Sequence, residues 1–484
     1  MRPKLELLDR PLAERILNEA FELLETIGTK AGDEALNLLA SAGARVADGV
    51  AKIPRNMIRR ALGSVPREFF LYDRAGNPAV HYGGDDVHFD PGSSCLNILD
   101  AHTQQPRPAT SEDLIRLVKV TERLPQYSAQ STAMVCNDVP SEIGDWYRLL
   151  LVLLYSDKPV ITGAFSVPTL QVMIELLAAD SGGREALREK PRAVFDVCPS
   201  PPLNWSEFAS HNMVELARAG VPAEIVSMPL AGATAPVTLA GAIVQHAAEC
   251  LAGITIHQLA KPGAPVVWGG APAIFDMRTG NTPMGAVETA MLDMGCAQVG
   301  KSLGLPTHGY LVASDTGQID TQAGMESGGS ALLGALAGIN MISGAGMLNF
   351  LACHSIEKLV IDAEAIASAQ RLIGGVESAS DTLALGMFAQ TGLHGDFLKL
   401  KETRALFRKE QHFPSAVIDR SGDPGTPDIL ERARQRVNEL LQSYDRPSIS
   451  PGVEEAIRTI ALREANAFGM DDIPAIDLPV CPGA

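Results

Sequence analysis

The sequence is short of aromatic rings, of positive charge and of paired cysteines. Phe, Trp and Tyr make up 5% of its 484 residues, while Gly alone numbers 44. That balance disfavours a large β sandwich and favours helices packed closely through small side chains. Lys and Arg number 40 against 57 Asp and Glu, a net charge of −17. Nucleic-acid recognition needs a basic face, and anionic membranes repel such a chain. An acidic surface suits solubility and a cationic ligand. The seven cysteines include no C-x-x-C, a usage expected of a reduced, cytoplasmic protein. The opening MRPKLELLDRPLAERILNEA has no apolar signal core. Gly, Pro and charge interrupt every apolar run before it reaches a membrane span. Also missing are G-x-x-x-x-G-K-[ST], G-x-G-x-x-G and G-x-S-x-G, which removes the simplest readings as a P-loop enzyme, a dinucleotide binder or a serine hydrolase.

What is present is alternation. Residues 1–68 carry helical spacing, with Leu12, Ile16, Ala20 and Leu23 on one face. FFLYDR, AVHYGG and DVHFDPG then read as short strands between Gly and Asp. From about residue 110, apolar runs alternate with helical stretches: 129–136, 158–163, 192–198, 223–228, 264–270, 307–312 and 339–346. Near-continuous apolar strands separated by helices mean a parallel sheet covered by helices. With DVHFD (86–90) the strands number eight. The expected fold is therefore α/β: a (β/α)8 TIM barrel with helical additions at both ends. The expected organisation is a helical N-terminal region over 1–108, a barrel core over 109–399 whose first strand could be 86–90, and a helical C-terminal extension over 400–484. Asp428 is the expected N-cap of a helix in SGDPGTPDILERARQRVNELL.

Barrel chemistry sits at the carboxyl ends of the strands. The segments there are rich in Gly, Pro and amides and carry no cluster of Arg or Lys, which disfavours a phosphate site. Cys353-His354 and Glu357 have metal-like spacing but no further ligands, so a buried thiol and a structural histidine are the simpler reading and no metal is expected. The loops do offer aromatic rings near acids. Phe165, Trp205, Trp268, Phe275 and Tyr310 could hold a quaternary ammonium by cation–π attraction; ordinary barrel packing is the alternative for each ring.

Two long blocks carry a resemblance. PLAGATAPVTLAGAIVQHAAECLAGITIHQLAKPGAPVVWGGAPAIFDMRTG (229–280) and SDTGQIDTQAGMESGGSALLGALAGINMISGAGML (314–348) resemble the trimethylamine methyltransferase family of corrinoid-dependent enzymes. CNDVP (136–140) and the helical ends agree, so the resemblance covers nearly the whole chain. It implies a barrel that moves a methyl group from a methylated amine to the cobalt of a separate corrinoid protein. The cobalamin belongs to that partner, since D-x-H-x-x-G is absent here. In the trimethylamine enzymes pyrrolysine lies four residues before a glutamine. If that glutamine is Gln322, the pyrrolysine position is Gln318. The chain thus resembles members without pyrrolysine, which act mostly on quaternary amines such as glycine betaine. A quaternary nitrogen leaves as a neutral tertiary amine and needs no proton, so orientation, desolvation and water exclusion suffice.

On this reading Gln318, Gln322 and Asp315 are the catalytic candidates, and Asp138 faces the cationic head beside the five aromatic residues. Asp315 and Asp138 have helix capping as their alternative role. Gly344 and Gly346 could let backbone approach a flat corrin face, or simply permit tight packing. Arg278 is the nearest candidate for a substrate carboxylate. Rival functions are a non-catalytic binder or sensor of a cationic methylated amine, and methyl transfer to another acceptor such as tetrahydrofolate. The expected partners are a corrinoid protein, a small quaternary amine and further copies of the chain, with no nucleic acid and no membrane.

Overall fold

The computed structural model describes residues 2–378 and 383–474. Eight short parallel strands form its centre: β1 (His88–Pro91), β2 (Gln130–Ser131), β3 (Val160–Thr162), β4 (Ala193–Val197), β5 (Ala223–Ser227), β6 (Val266–Gly270), β7 (His308–Tyr310) and β8 (Met341–Ala345). Strands β2 to β6 pair in order, as do β7 with β8 and β8 with β1. Two joints complete the circle. The Trp268 amide donates to the Pro306 carbonyl between β6 and β7, and the Ser128 amide donates to the Phe89 carbonyl between β2 and β1. The sheet closes on itself as a (β/α)8 barrel, which leaves no edge.

Each strand feeds a helix. These are α1 (Ser111–Arg123), α2 (Gly144–Tyr155), α3 (Val167–Ser181), α4 (Glu207–Ala219), α5 (Leu239–Ala260), α6 (Val287–Ser302), α7 (Thr321–Ala337) and α8 (Ile356–Ile373). The eight apolar runs of the sequence are the eight strands. The barrel therefore spans 88–373: its first strand overlaps the 86–90 alternative, and its last helix ends before the expected 399. Strand β1 sits among Gly and Asp, and a turn at Gly374-Gly375 ends α8.

Helix α5 corrects one expectation. It is long and apolar enough to cross a membrane, yet 83% of its most apolar window is buried inside the protein. It packs between Arg10–Thr26, Arg55–Ser64, α4 and α6. A helix apolar all round is a core helix when other helices surround it. The additions cover the remaining helical faces. Arg10–Thr26 starts at Asp9, whose side chain accepts the Leu12 amide. Ile429–Gln442 starts at Asp428, which accepts the Glu431 amide, and it packs on α8 and α1. Pro451–Ala467 packs on α3 and α2.

The amino end of the barrel is closed. A hairpin, Phe69–Tyr72 with Pro78–Tyr82, puts Leu71, Val80 and Tyr82 against Ala129, Ile161, Val194, Val267 and Met341. Those five residues alternate along their strands with ones that face the helices, so they mark the inward parity of the barrel.

Candidate active site

The same parity brings acids inside. Asp196 lies two residues after Val194 and Glu224 is its register partner on β5. Asp90 on β1 and His308 on β7 complete the cluster, above the sealed floor. The Tyr82 hydroxyl donates to Glu224 Oε2 at 2.8 Å. Ser343 on β8 donates to Asp90 Oδ1 at 2.6 Å. His308 Nε2 lies 3.0 Å from the Ser343 hydroxyl and 3.5 Å from Glu224 Oε1. Since Ser343 spends its proton on Asp90, His308 carries its proton on Nε2 and leaves Nδ1 as a lone pair. Asp196 and Glu224 lie close enough to share a hydrogen bond, which requires a proton between them.

Burial governs the electrostatics. It pushes Asp196 up to about 7 and drives Asp90 and Glu224 well above the usual carboxylate range, with Asp196 adding to both. Burial lowers His308 to about 3, so its ring is neutral. Four acceptor atoms here have no hydrogen-bond donor: Asp90 Oδ2, Asp196 Oδ1, Glu224 Oε1 and His308 Nδ1. Asp90 and Glu224 are fully buried. Isolated carboxylates in such a place cost several kcal/mol, so the empty barrel holds protons that a cation would displace.

The lumen opens upward. Asp196 and Gly163 are half-buried, and Cys198 at the carboxyl end of β4 is exposed. The Tyr310 ring stands above the acids, its hydroxyl held by the Ser93 amide at 2.9 Å and the Met347 sulfur at 3.1 Å. Around the mouth, exposed apolar side chains come from four strand–helix loops, Leu96, Phe165, Met228 and Met277, and from the start of α7, Met325. Among the described residues, no three His, Cys, Asp or Glu side chains come together as a metal site.

The expected site residues divide. Tyr310 belongs to the lumen. Phe165 is 60% exposed at the rim, with the Arg148 guanidinium 5.2 Å from its ring centre. Phe275 is half-buried in the loop after β6. Trp205 and Trp268 point the other way. Both are buried in the layer between barrel and helices, where their indole N–H groups donate to the Glu249 and Cys296 carbonyls. Neither ring reaches the mouth, because Trp268 has the outward parity of β6 and Trp205 packs against Gly253 of α5. Gly344 and Gly346 face no open space. With φ of +118° and +83°, they occupy the left-handed region. A Cβ on Gly344 would lie 2.0 Å from the Leu311 carbonyl oxygen, and one on Gly346 would lie 2.2 Å from the His354 ring. Their glycines serve close packing, not a corrin face.

The polar stretch 314–326 is a knot at the rim. Glu326 accepts from the Ser314 hydroxyl at 2.5 Å, the Asp315 amide at 2.9 Å and Gln322 at 2.8 Å. Asp315 accepts from the Met284 and Gly285 amides at 2.7 and 3.1 Å, tying this loop to the preceding one. The cap of α7 is Asp320, through the Ala323 amide, rather than Asp315. Gln318 and Gln322 are exposed. Asp138 is exposed and caps α1 by accepting the Ser111 amide at 2.9 Å. The sequence offered one overlooked signal for the lumen. Asp90, Asp196, Glu224 and His308 are polar residues inside otherwise apolar strand runs, and their place in the strand alternation sets them on the interior face.

A second concavity, of about 780 Å³, lies at the amino side between Lys4–Leu17 and the ends of α6 and α7. Its charges are largely paired, Lys4 with Asp85 and Arg10 with Glu14. It is remote from the strand ends where a barrel keeps its chemistry.

The family description "Trimethylamine methyltransferase (MTTB)" matches residues 1–469. The chain belongs to this family. It is 29% identical over 463 residues to the trimethylamine methyltransferase of Desulfitobacterium hafniense strain DCB-2, covering 94% of this chain and 93% of that one. It is 28% identical over 475 residues to a glycine betaine methyltransferase of strain Y51 of the same species, covering 96% and 98%. The Methanosarcina barkeri trimethylamine methyltransferase is 30% identical, covering 92% of each chain. Among solved structures, the monomethylamine methyltransferase of Methanosarcina barkeri superposes with a TM-score of 0.53 at 13% identity, over 90% of this chain and 89% of that one. At that identity the likeness speaks for the fold alone. Membership of the family makes the chain a methyltransferase, with methyl transfer from a methylated amine as its chemistry.

Proposed function

We propose that the chain transfers a methyl group from a quaternary amine to the cobalt of a separate, cytoplasmic corrinoid protein. The observation that carries the amine half is the lumen: three carboxyl groups short of donors beneath the Tyr310 ring, over a floor closed by the hairpin. A quaternary ammonium has no N–H to donate, and it binds through charge and through the face of an aromatic ring. Glu224, Asp90 and Asp196 supply the charge, Tyr310 the ring, and the hairpin carrying Tyr82 keeps water from entering below.

The reaction is a displacement at the methyl carbon. The C–N bond breaks with its electron pair left on nitrogen, which departs as a neutral tertiary amine. The new bond forms to the acceptor, whose reduced corrinoid supplies the nucleophile. No proton moves, so this chain's residues hold the cation, aim one methyl group at the mouth and exclude water. Approach of a protein-borne acceptor is supported by the number of exposed apolar side chains placed around the mouth. Gln318, Gln322 and Asp315 then act at the rim, shaping the approach.

The test is purified chain mixed with a reduced corrinoid protein and a panel of methylated amines, followed by the absorption change of the corrinoid on methylation. A change dependent on both chain and amine is expected. No change with any amine, while an authentic methyltransferase works on the same corrinoid protein, overturns the proposal.

A further inference from the structure

We infer that the amine taken into the lumen is a net cation: a quaternary ammonium whose fourth arm ends in an alkyl or hydroxyl group and carries no carboxylate. The inference rests on the amine-methyltransferase reading and narrows its substrate. The unpartnered polar atoms described in the lumen are three carboxyl oxygens, Asp90 Oδ2, Asp196 Oδ1 and Glu224 Oε1, and His308 Nδ1, all of them acceptors once a bound cation has displaced the carboxyl protons. The hydroxyl donors nearby are already spent. Tyr82 donates to Glu224, Ser343 to Asp90, and Ser131 to the Gly92 carbonyl. A shared proton on Asp196 and Glu224 covers one deficit; a ligand must cover the others.

A substrate carboxylate would add acceptors and negative charge to a site that lacks donors, and it would need a free cation beside the mouth. The cations there are engaged. Arg148 binds Asp145, the Ser94 hydroxyl and the Thr132 and Gly144 carbonyls. Lys358 binds Asp362, the Ser327 hydroxyl and the Val312 carbonyl. Arg278 lies out on its loop, with a side chain 88% exposed and held by Asp276. Burying an unpaired substrate carboxylate among acids is the kind of mismatch that sites use to reject a ligand. A hydroxyl arm brings a donor that the acceptors can use, and an alkyl arm brings nothing that needs one.

The experiment compares choline, tetramethylammonium and glycine betaine on the full chain. Binding is measured by calorimetry, and turnover by the corrinoid absorption change. Choline and tetramethylammonium are expected to exceed glycine betaine in kcat/KM by at least about tenfold. Asp196→Asn, checked for folding by its melting temperature, is expected to shrink that preference by about tenfold, since it removes repulsion of the carboxylate as well as attraction of the cation. Equal or better use of glycine betaine overturns this inference and leaves the methyltransferase reading intact. Cation binding with no turnover of any amine supports the inference about the ligand and overturns the methyltransferase reading. No binding of any of the three overturns the inference.

Discussion

Two sets of carboxylates in this barrel are treated in opposite ways. Glu326, Asp315 and Glu249 have their oxygens filled by donors. Glu249, on α5, accepts from the Leu203 amide at 2.9 Å, Gln245 at 3.1 Å and the Ser227 hydroxyl at 2.6 Å. Asp90, Asp196 and Glu224 each keep a buried oxygen with no donor. The first set ties loops and helices together. The second set makes some bonds, from Tyr82 and Ser343, but leaves an oxygen of each carboxyl unmet at a cost in stability, which is the usual signature of groups kept for a ligand. The difference teaches that density of polar residues in the sequence is a poor guide to function here. The densest stretch is a fastening, and the sparse acids within strands are the site.

That contrast can be broken by substitution. The largest effect is expected from Asp196→Asn, which should lower kcat/KM for a cationic amine by about a hundredfold, the scale of one desolvated charge pair. The melting temperature should stay level or rise, because the variant no longer buries an ionisable group. A stability loss with intact activity would reverse the assignment of the two sets. Next in size is Glu249→Ala, which strands three donors and should cost about 3 kcal/mol of unfolding free energy, measured by denaturant titration. Kinetics of the surviving folded fraction should be close to those of the parent chain.

The third effect is in pH. Burial sets Asp196 at about 7 in the empty barrel, while a bound cation favours its ionised form. Below that value the amine must displace a proton, so KM rises as pH falls, by up to about tenfold per pH unit, and levels off above. Glu224, Asp90 and Tyr82 face the same space, so the slope belongs to the cluster, and Asp196→Asn should flatten it. A smaller effect is expected at the rim. Met325→Glu, on a side chain 73% exposed, should raise KM for the corrinoid protein by about tenfold and leave amine binding unchanged in calorimetry. The smallest is Gln318→Ala. Its side chain is exposed and its amide is held by the Thr316 hydroxyl at 3.3 Å, so a change under about twofold is expected.

How much was legible follows from what each signal depends on. The eight strands could be read because a strand buried on both faces must be apolar, and that is a local property of sequence. Tyr310 could be placed at a strand end for the same reason. Trp205 and Trp268 misled because a loop or strand-end position does not say which face a ring takes. Trp268 turns outward by parity, and Gly300 leaves room for its indole. Gly344 and Gly346 misled because a missing side chain looks the same whether a ligand or a neighbouring strand approaches.

The sequence by itself determined the fold class, the number of strands, the helical ends and the family, since periodicity and long shared blocks are carried along the chain. It also determined the excess of acid. Only the tertiary structure decided which acids matter. Closing the sheet brings Asp90, Asp196, Glu224 and His308 together from positions up to 218 residues apart, counting from 90 to 308. Whether a carboxylate is fed or starved of donors depends on neighbours that the linear order does not show, and in this barrel that distinction separates the fastening at 314–326 from the site below it.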